Sequence, residues 1–573
     1  MTGSKHRRRR LVMTIVLAAL AGAAPAVAAE LPLGEKGLPE TRERTVLAPG
    51  ATYTRIVRGT TGDEYFVIDL GFTLDRGEAE ASAAKLRAEG YDARVLTVDL
   101  TAPDARLPGP VAHLVRLGRF ATAAEAQATQ TTLVAAGYQR VRVDYTGDDG
   151  TLTTGPWRIH VLEVDPRRFR GRLAPILATD FVPERETVSS IDARTGALAV
   201  INGGYFVIGA GDGTPGDLAG LSILRDRLVS EAVNGRTDLL LARPNGRGTR
   251  VAALSTRLTA VASDGARRTV DGRNRKPGLI RSCGGVGGDL PTELPRHDFT
   301  CTDAAELIQY TADFGAATDA TAELEAVLDA RGRVEQLRAP GGAIPSDGSV
   351  LGGTGDGAQW LRDHGQPGNR VRVSVRVGQG LRRRHLARRL GVVNGGPRLL
   401  AGGEPAISAA AEGFVRPDDP EFFYRFGIRR NPRTLAGVTP DGRVLLVAAD
   451  GRAPGYANGL SFAEEAAVMA ALGASSAVNL DGGGSIAMTV ADELVTRPSD
   501  ATGERCGRRD RVTALTATAA SGGAAPGSRG SGAVGVWREM FVDRSGRPGR
   551  HGSGIAGRRS RGARPLARCS RPS

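Results

Sequence analysis

The run Ala477-Val478-Asn479-Leu480-Asp481-Gly482-Gly483-Gly484-Ser485 holds the residues best suited to chemistry. A short apolar stretch ends on an acid, and three glycines follow at once. Consecutive glycines lack Cβ atoms, so a ligand can approach the backbone closely and positive φ is open to it. An Asp fixed at the end of a buried strand, beside bare amides, suits sugar or phosphate chemistry. A glycine-rich turn capped by Asp would use the same residues. Four further motifs have a similar build: Ile201-Asn202-Gly203-Gly204-Tyr205-Phe206, Val393-Asn394-Gly395-Gly396-Pro397, Asn431-Pro432-Arg433-Thr434 and Ala449-Asp450-Gly451-Arg452. Singly they read as turns, since Asn-Gly and Asp-Gly are common hairpin connections. Hairpins do not require apolar strands followed twice by Asn-Gly-Gly and once by Asp-Gly-Gly-Gly.

Such motifs need strands to hold them. From Trp157 to about Arg505 the pattern predicts a mixed α/β (α+β) domain with many strands. Candidates are Arg158–Val164, Leu198–Ile201, Val251–Leu254, Val371–Val377, Thr434–Val438, Val444–Ala449 and Ala477–Leu480. Asp441-Gly442 marks a hairpin turn between two of them. Ser461 and Glu464 form a capping box before an apolar run to Leu472, and Gly473 stops the helix.

Residues 60–145 carry a weak internal repeat. Gly71 and Gly118, Leu86 and Leu133, and Gly90-Tyr91 and Gly137-Tyr138 share one offset of 47. Alternating apolar strands around a helix ending at Gly imply a βαββαβ unit of ferredoxin-like type. It resembles the sporulation-related repeat (SPOR) domain, and the resemblance implies binding to peptidoglycan glycan strands stripped of stem peptides. A generic packing module would show the same pattern. Asp148 to Pro156 reads as a polar linker.

At 573 residues, two or three domains are expected. The net charge of +14 sits at the ends: residues 1–29 contribute +5 and residues 506–573 contribute +11, leaving 30–505 at −2. A nearly neutral body excludes a nucleic-acid function for it. Lys5 to Arg10, the apolar Leu11 to Ala24 and Ala26-Val27-Ala28 predict a signal peptide over 1–29, hence a secreted or cell-envelope bacterial protein; an uncleaved anchor is the alternative. Among four cysteines, Cys283 and Cys301 bracket a Gly/Pro-rich loop and are the expected disulfide, with a metal site involving His297 as the alternative.

Taken in order, the motifs resemble the phosphodiester glycosidase family, whose members include N-acetylglucosamine-1-phosphodiester α-N-acetylglucosaminidase. The residues carrying the resemblance are Asn202-Gly203-Gly204-Tyr205-Phe206, Arg433-Thr434 with Gly437-Val438, Asp450-Gly451-Arg452, the capped helix, and Asn479 to Ser485. Cleaving a sugar-1-phosphodiester passes through an oxocarbenium-like transition state served by two carboxyl groups. Asp481 and Asp450 are the expected pair. Arg433 and Arg452 are expected to hold phosphate. Asn202, Asn394 and Asn479, with Gly203 and Gly204, are expected to line the sugar, and the amides of Gly482, Gly483 and Gly484 to cradle the phosphate. Asp450, Asp481 and asparagine oxygens could also hold Ca2+ or Mg2+, although no D-x-D-x-D loop is present. Ser485 lies outside any G-x-S-x-G elbow, which argues against a serine hydrolase.

After Arg505 the family pattern calls for a last strand. Here the chain turns rich in Arg, Gly, Ser and Ala from Cys506 onward. Residues 506–573 read as a basic disordered tail, or as the product of a reading-frame error that leaves a sheet without its closing strand. The expectation is an envelope hydrolase acting on sugar-1-phosphodiesters. A glycosidase without phosphate in its substrate and a non-catalytic wall-binding protein are the alternatives.

Overall fold

Strand Trp157–Val164 is buried almost throughout because it sits inside a sheet, not at its edge. In the computed structural model, residues 30–233, 235–283, 295–379, 382–384, 391–499 and 514–518 are described. The expected signal segment 1–29 and most of 506–573 lie outside them.

The main sheet has eight strands. Edge to edge they are Glu40–Ala48, Ala51–Arg58, Trp157–Val164, Val444–Ala449, Arg433–Val438, Ser476–Asn479, Arg398–Ala401 and Glu404–Pro405. The three central strands 157–164, 433–438 and 444–449 read as apolar runs because both their faces are covered. Asp441-Gly442 does turn the chain between two of them, with Gly442 at φ +87°. The helix Phe462–Ala471 packs near the end of this sheet, and its Ser461/Glu464 capping box is formed in both directions.

A second, five-stranded sheet orders Glu493–Leu494, Met488–Val490, Ala199–Asn202, Ala514–Thr518 and Arg172–Ile176. Leu173, Ala199, Ile201 and Met488 from it meet Leu162, Ala436, Leu446 and Val478 from the first sheet in one core. Strand Ala514–Thr518 corrects the expectation of a lost closing strand at Cys506. It pairs with both neighbours, in the middle of the sheet. In the sequence this short stretch is hidden by the Arg and Gly around it.

Residues 60–145 form the expected succession of strand, helix, two strands, helix and strand. The order across the sheet is Ala93–Asp99, Val111–Phe120, Phe66–Thr73, Arg142–Tyr145. Helices Arg76–Ala88 and Ala123–Ala135 pack on one face through Ala83, Leu86, Ala126 and Leu133. This unit is inserted between two paired strands of the main sheet, Ala51–Arg58 and Trp157–Val164. Sheets dominate the whole chain, with six α-helices among the described residues.

Candidate active site

The two sheets meet at Asn202 and Asp481, and hydrogen bonds fix both. The Asn202 amide donates to the Asp481 carbonyl at 2.8 Å. Its Oδ1 accepts from Thr434 Oγ1 at 2.7 Å and from the Ala487 amide at 3.2 Å. The Asp481 amide in turn donates to Gly203 O at 3.0 Å. Strand 476–479 thus delivers Asp481 to one place, over a junction between sheets. Glycine is obligatory next, because a Cβ on Gly482 would stand 2.6 Å from Pro432 O. Gly204 is constrained the same way, 2.4 Å from Asn394 O.

Asp481 opens onto a cavity of about 400 Å³. Gly482, Gly483, Gly484, Ser485, Arg433 and Arg452 share that cavity, together with Tyr205, Arg281, His297, Asp298 and Phe426. Asp481 is half-buried. Burial pushes its carboxyl up to about 7, against the lowering effect of hydrogen bonds from Ser485 and the Gly482 amide. A carboxyl poised there can give or take a proton near neutral pH.

Four arginines line the same space, Arg185, Arg281, Arg433 and Arg452. Arg433 is fully buried, 2.8 Å from Glu465, with Nε donating to Leu460 O at 3.0 Å and Nη2 to Phe426 O. It is gripped between the rings of Phe426 and Phe462. Arg452 is exposed, and its Nη2 donates to Asn431 Oδ1 at 2.6 Å. Arg281 donates to Asp212 and Thr300, both at 3.0 Å, and pairs with Asp298. The Cys283–Cys301 disulfide, with a Cα separation of 5.9 Å, ties together the two strands 279–281 and 300–302 beside it. It therefore holds the rim that carries Arg281, His297 and Asp298.

Several expected ligands lie elsewhere. Asp450 does not line the cavity. It is buried just beyond the end of strand Val444–Ala449, accepting from the Arg497 amide at 2.8 Å and lying 3.4 Å from His160 Nε2. The pairing of Arg433 with Ala449 ends the ladder just before it. Asn202, Asn394 and Asn479 are fully buried and face the protein. Asn394 clamps the Tyr205 backbone, accepting from its amide at 2.7 Å, and Asn479 donates to the Tyr205 hydroxyl at 2.6 Å. They orient the scaffold and are not placed to touch a sugar. Of the glycine amides, that of Gly482 is committed to Asp481 Oδ1 and that of Gly483 to Pro432 O. The Ca2+ or Mg2+ expectation needed both carboxylates together. Among the described residues no group of three or more His, Cys, Asp and Glu is arranged to hold a metal.

The structure adds His297, Tyr205 and Asp298, which sequence reasoning did not place in the site. His297 lies in a box of rings, 4.4 Å from Tyr205, 4.6 Å from Phe414 and 5.0 Å from Phe426 between centroids. Among the described residues, neither ring nitrogen has a hydrogen-bond partner. Burial, aided by Arg236, Arg281, Arg416 and Arg433, holds its pKa well below the usual imidazole value, so the ring is neutral. Its position inside the disulfide loop was the only sequence signal.

A family model described as phosphodiester glycosidase matches residues 322–515, and one described as SPOR domain matches 62–143. Among solved structures, a candidate exported protein of Burkholderia pseudomallei K96243 is 36% identical with a TM-score of 0.77, covering 86% of this chain and 98% of that one. A hypothetical protein of Synechocystis is 17% identical with a TM-score of 0.49, covering 83% and 79%. The catalytic domain of zebrafish N-acetylglucosamine-1-phosphodiester alpha-N-acetylglucosaminidase, auto-inhibited by its pro-peptide, is 15% identical with a TM-score of 0.30, covering 75% and 83%. No curated protein matches. The chain belongs to the phosphodiester glycosidase family and carries a SPOR domain. Arg433, Arg452 and Asp481 fall inside the matched span. Asn202 to Gly204 fall outside it, yet bond directly into it.

Proposed function

We propose that this chain is an exported cell-envelope hydrolase that cleaves the glycosidic bond of sugar-1-phosphodiesters in envelope glycans, with the SPOR unit directing it to peptidoglycan. One observation carries the reading: a carboxyl poised near neutrality, Asp481, shares a cavity with four arginines, Arg185, Arg281, Arg433 and Arg452. Protonated Asp481 gives its proton to the phosphate oxygen as the anomeric C–O bond breaks, and water then adds to the oxocarbenium-like centre, its released proton restoring the Asp481 carboxyl. Arg452, Arg433 and Arg281 compensate the phosphate charge that grows on the leaving group. Glycosidase activity in the family and cell-wall binding by SPOR domains support this reading. The catalytic unit spans 155–505 together with the strands 40–58 and 514–518 that pair with it, and the glycan module spans 60–145 in a ferredoxin-like arrangement.

A second reading, hydrolysis of an ordinary O-glycoside, draws on Asp298, a second carboxylate at the rim. Turnover of a sugar-1-phosphodiester compared with the matching O-glycoside separates the two. Asp481→Asn should abolish turnover while leaving the fold intact; near-normal activity in that variant overturns the assignment.

A further inference from the structure

A four-stranded sheet backed by helices on one side has a second broad face. In the SPOR unit the helices cover Ile68, Leu70, Val115 and Leu117. The opposite face carries Phe72, Val98, Ala112 and Leu114, and these join the core cluster that contains Phe414, Phe423 and Tyr424 of the catalytic unit. Phe72 stacks on Tyr424 with ring centroids 5.6 Å apart. The polar residues of this face are equally committed. Arg116 grips Asp69 through two hydrogen bonds of 2.8 Å and also binds Asp149. Arg429 pairs with Asp149 and, at 3.4 Å, with Asp144. Arg425 pairs with Asp144 at 3.1 Å. The contact therefore combines shared apolar packing with ion pairs that cross between the units.

What docks on that face is the segment 420–430, the short helix Pro420–Phe423 continued by a π-helical turn, Tyr424–Ile428. π-turns displace the side chains that follow them and recur at functional sites. Here Tyr424, Arg425 and Arg429 meet the SPOR sheet. Phe422 and Phe426 stack on each other at 5.3 Å, and Phe426 forms cavity wall against His297. The Phe426 carbonyl also receives Arg433 Nη2. One short segment thus touches the SPOR sheet on one side and the catalytic cavity on the other.

We infer that the SPOR unit is a fixed part of the catalytic apparatus: its helix-free sheet face, through Phe72 and the Arg116–Asp149–Arg429 network, positions the cavity wall formed by Phe426 and Arg433. That face is covered by the catalytic unit. Phe72 and Arg429 are positioning residues, and the inference rests on the cavity being the active site.

The test uses the full chain and two readouts, hydrogen–deuterium exchange of residues 420–433 and kinetics on a small soluble probe, methyl α-N-acetylglucosaminyl phosphate. Phe72→Ala should speed exchange across 420–433 about tenfold and raise KM about five- to tenfold, whereas a mere loss of folded protein would lower kcat at constant KM. Phe72→Tyr, which keeps the stacked ring, should restore both. If Phe72→Ala does not fold, Tyr424→Phe, which removes only the hydroxyl facing Arg429, should move both readouts in the same direction. Wild-type exchange at 420–433 in a folded variant, or a wild-type KM, overturns the inference. A wild-type enzyme inert on the probe would overturn the proposed function instead, and the exchange readout would still decide the coupling.

Discussion

Replacing Asp481 by Asn should make the protein more stable and less active at once. Burial raises its carboxyl from 3.8 to about 7, roughly three pH units. At about 1.4 kcal/mol per unit the limit is ~4 kcal/mol, and partial solvent access at the cavity mouth reduces it to ~2 kcal/mol. The sign follows from proton binding. Between pH 3.8 and 7 the native state holds the proton more tightly than the unfolded chain, so stability falls as pH rises through this window. Below pH 3.8 both states are protonated and the penalty vanishes; above pH 7 it is complete. Asn cannot ionise, yet its Oδ1 can still accept from the Gly482 amide. The melting temperatures of wild type and Asp481→Asn should therefore coincide near pH 4 and separate by about 2–4 °C in favour of the variant at pH 8, taking ~1–2 °C per kcal/mol for a chain of this size. Turnover of a sugar-1-phosphodiester should fall at least ~10²-fold, the usual worth of a general acid. Wild-type activity should itself decline above pH 7 as Asp481 loses its proton. A melting difference that does not open between pH 4 and pH 8 refutes the buried-carboxyl argument. Full activity in the variant refutes its catalytic role.

Arg452→Ala should raise KM roughly 10- to 100-fold, the loss of one or two charge-assisted bonds, while changing denaturant stability by less than about 0.5 kcal/mol, because the residue is exposed. Asp450→Asn should keep kcat/KM within about threefold and lower stability by ~1–3 kcal/mol, since it holds the Arg497 amide and no substrate; a collapse in kcat with the fold intact would return it to the catalytic machinery. Cys283→Ser should cost about 3 kcal/mol in urea unfolding, from the chain entropy of a loop closed over 18 residues. It should also raise KM, since Asp298 lies in that loop and pairs with Arg281 just before it.

The sequence alone determined the local devices. Apolar runs, the Ser461/Glu464 capping box, the Asp441-Gly442 turn and the glycines after Asp481 all express preferences acting over a few residues, and the structure keeps each of them. The ordered set of motifs also carried the family. What it could not contain was the direction in which each strand end points. Asp450 and Asp481 look equivalent as acids before glycine, but only one faces the cavity. Asn202, Asn394 and Asn479 read as ligands yet are consumed as fasteners, because partners such as Thr434, 232 residues from Asn202, become neighbours only when two sheets stack. His297, the Arg281–Asp298 rim and the docking of the SPOR sheet on segment 420–430 are likewise products of packing. Burial, which sets the proton affinity of Asp481 and the neutrality of His297, belongs to the assembled interior and to no segment of the chain by itself.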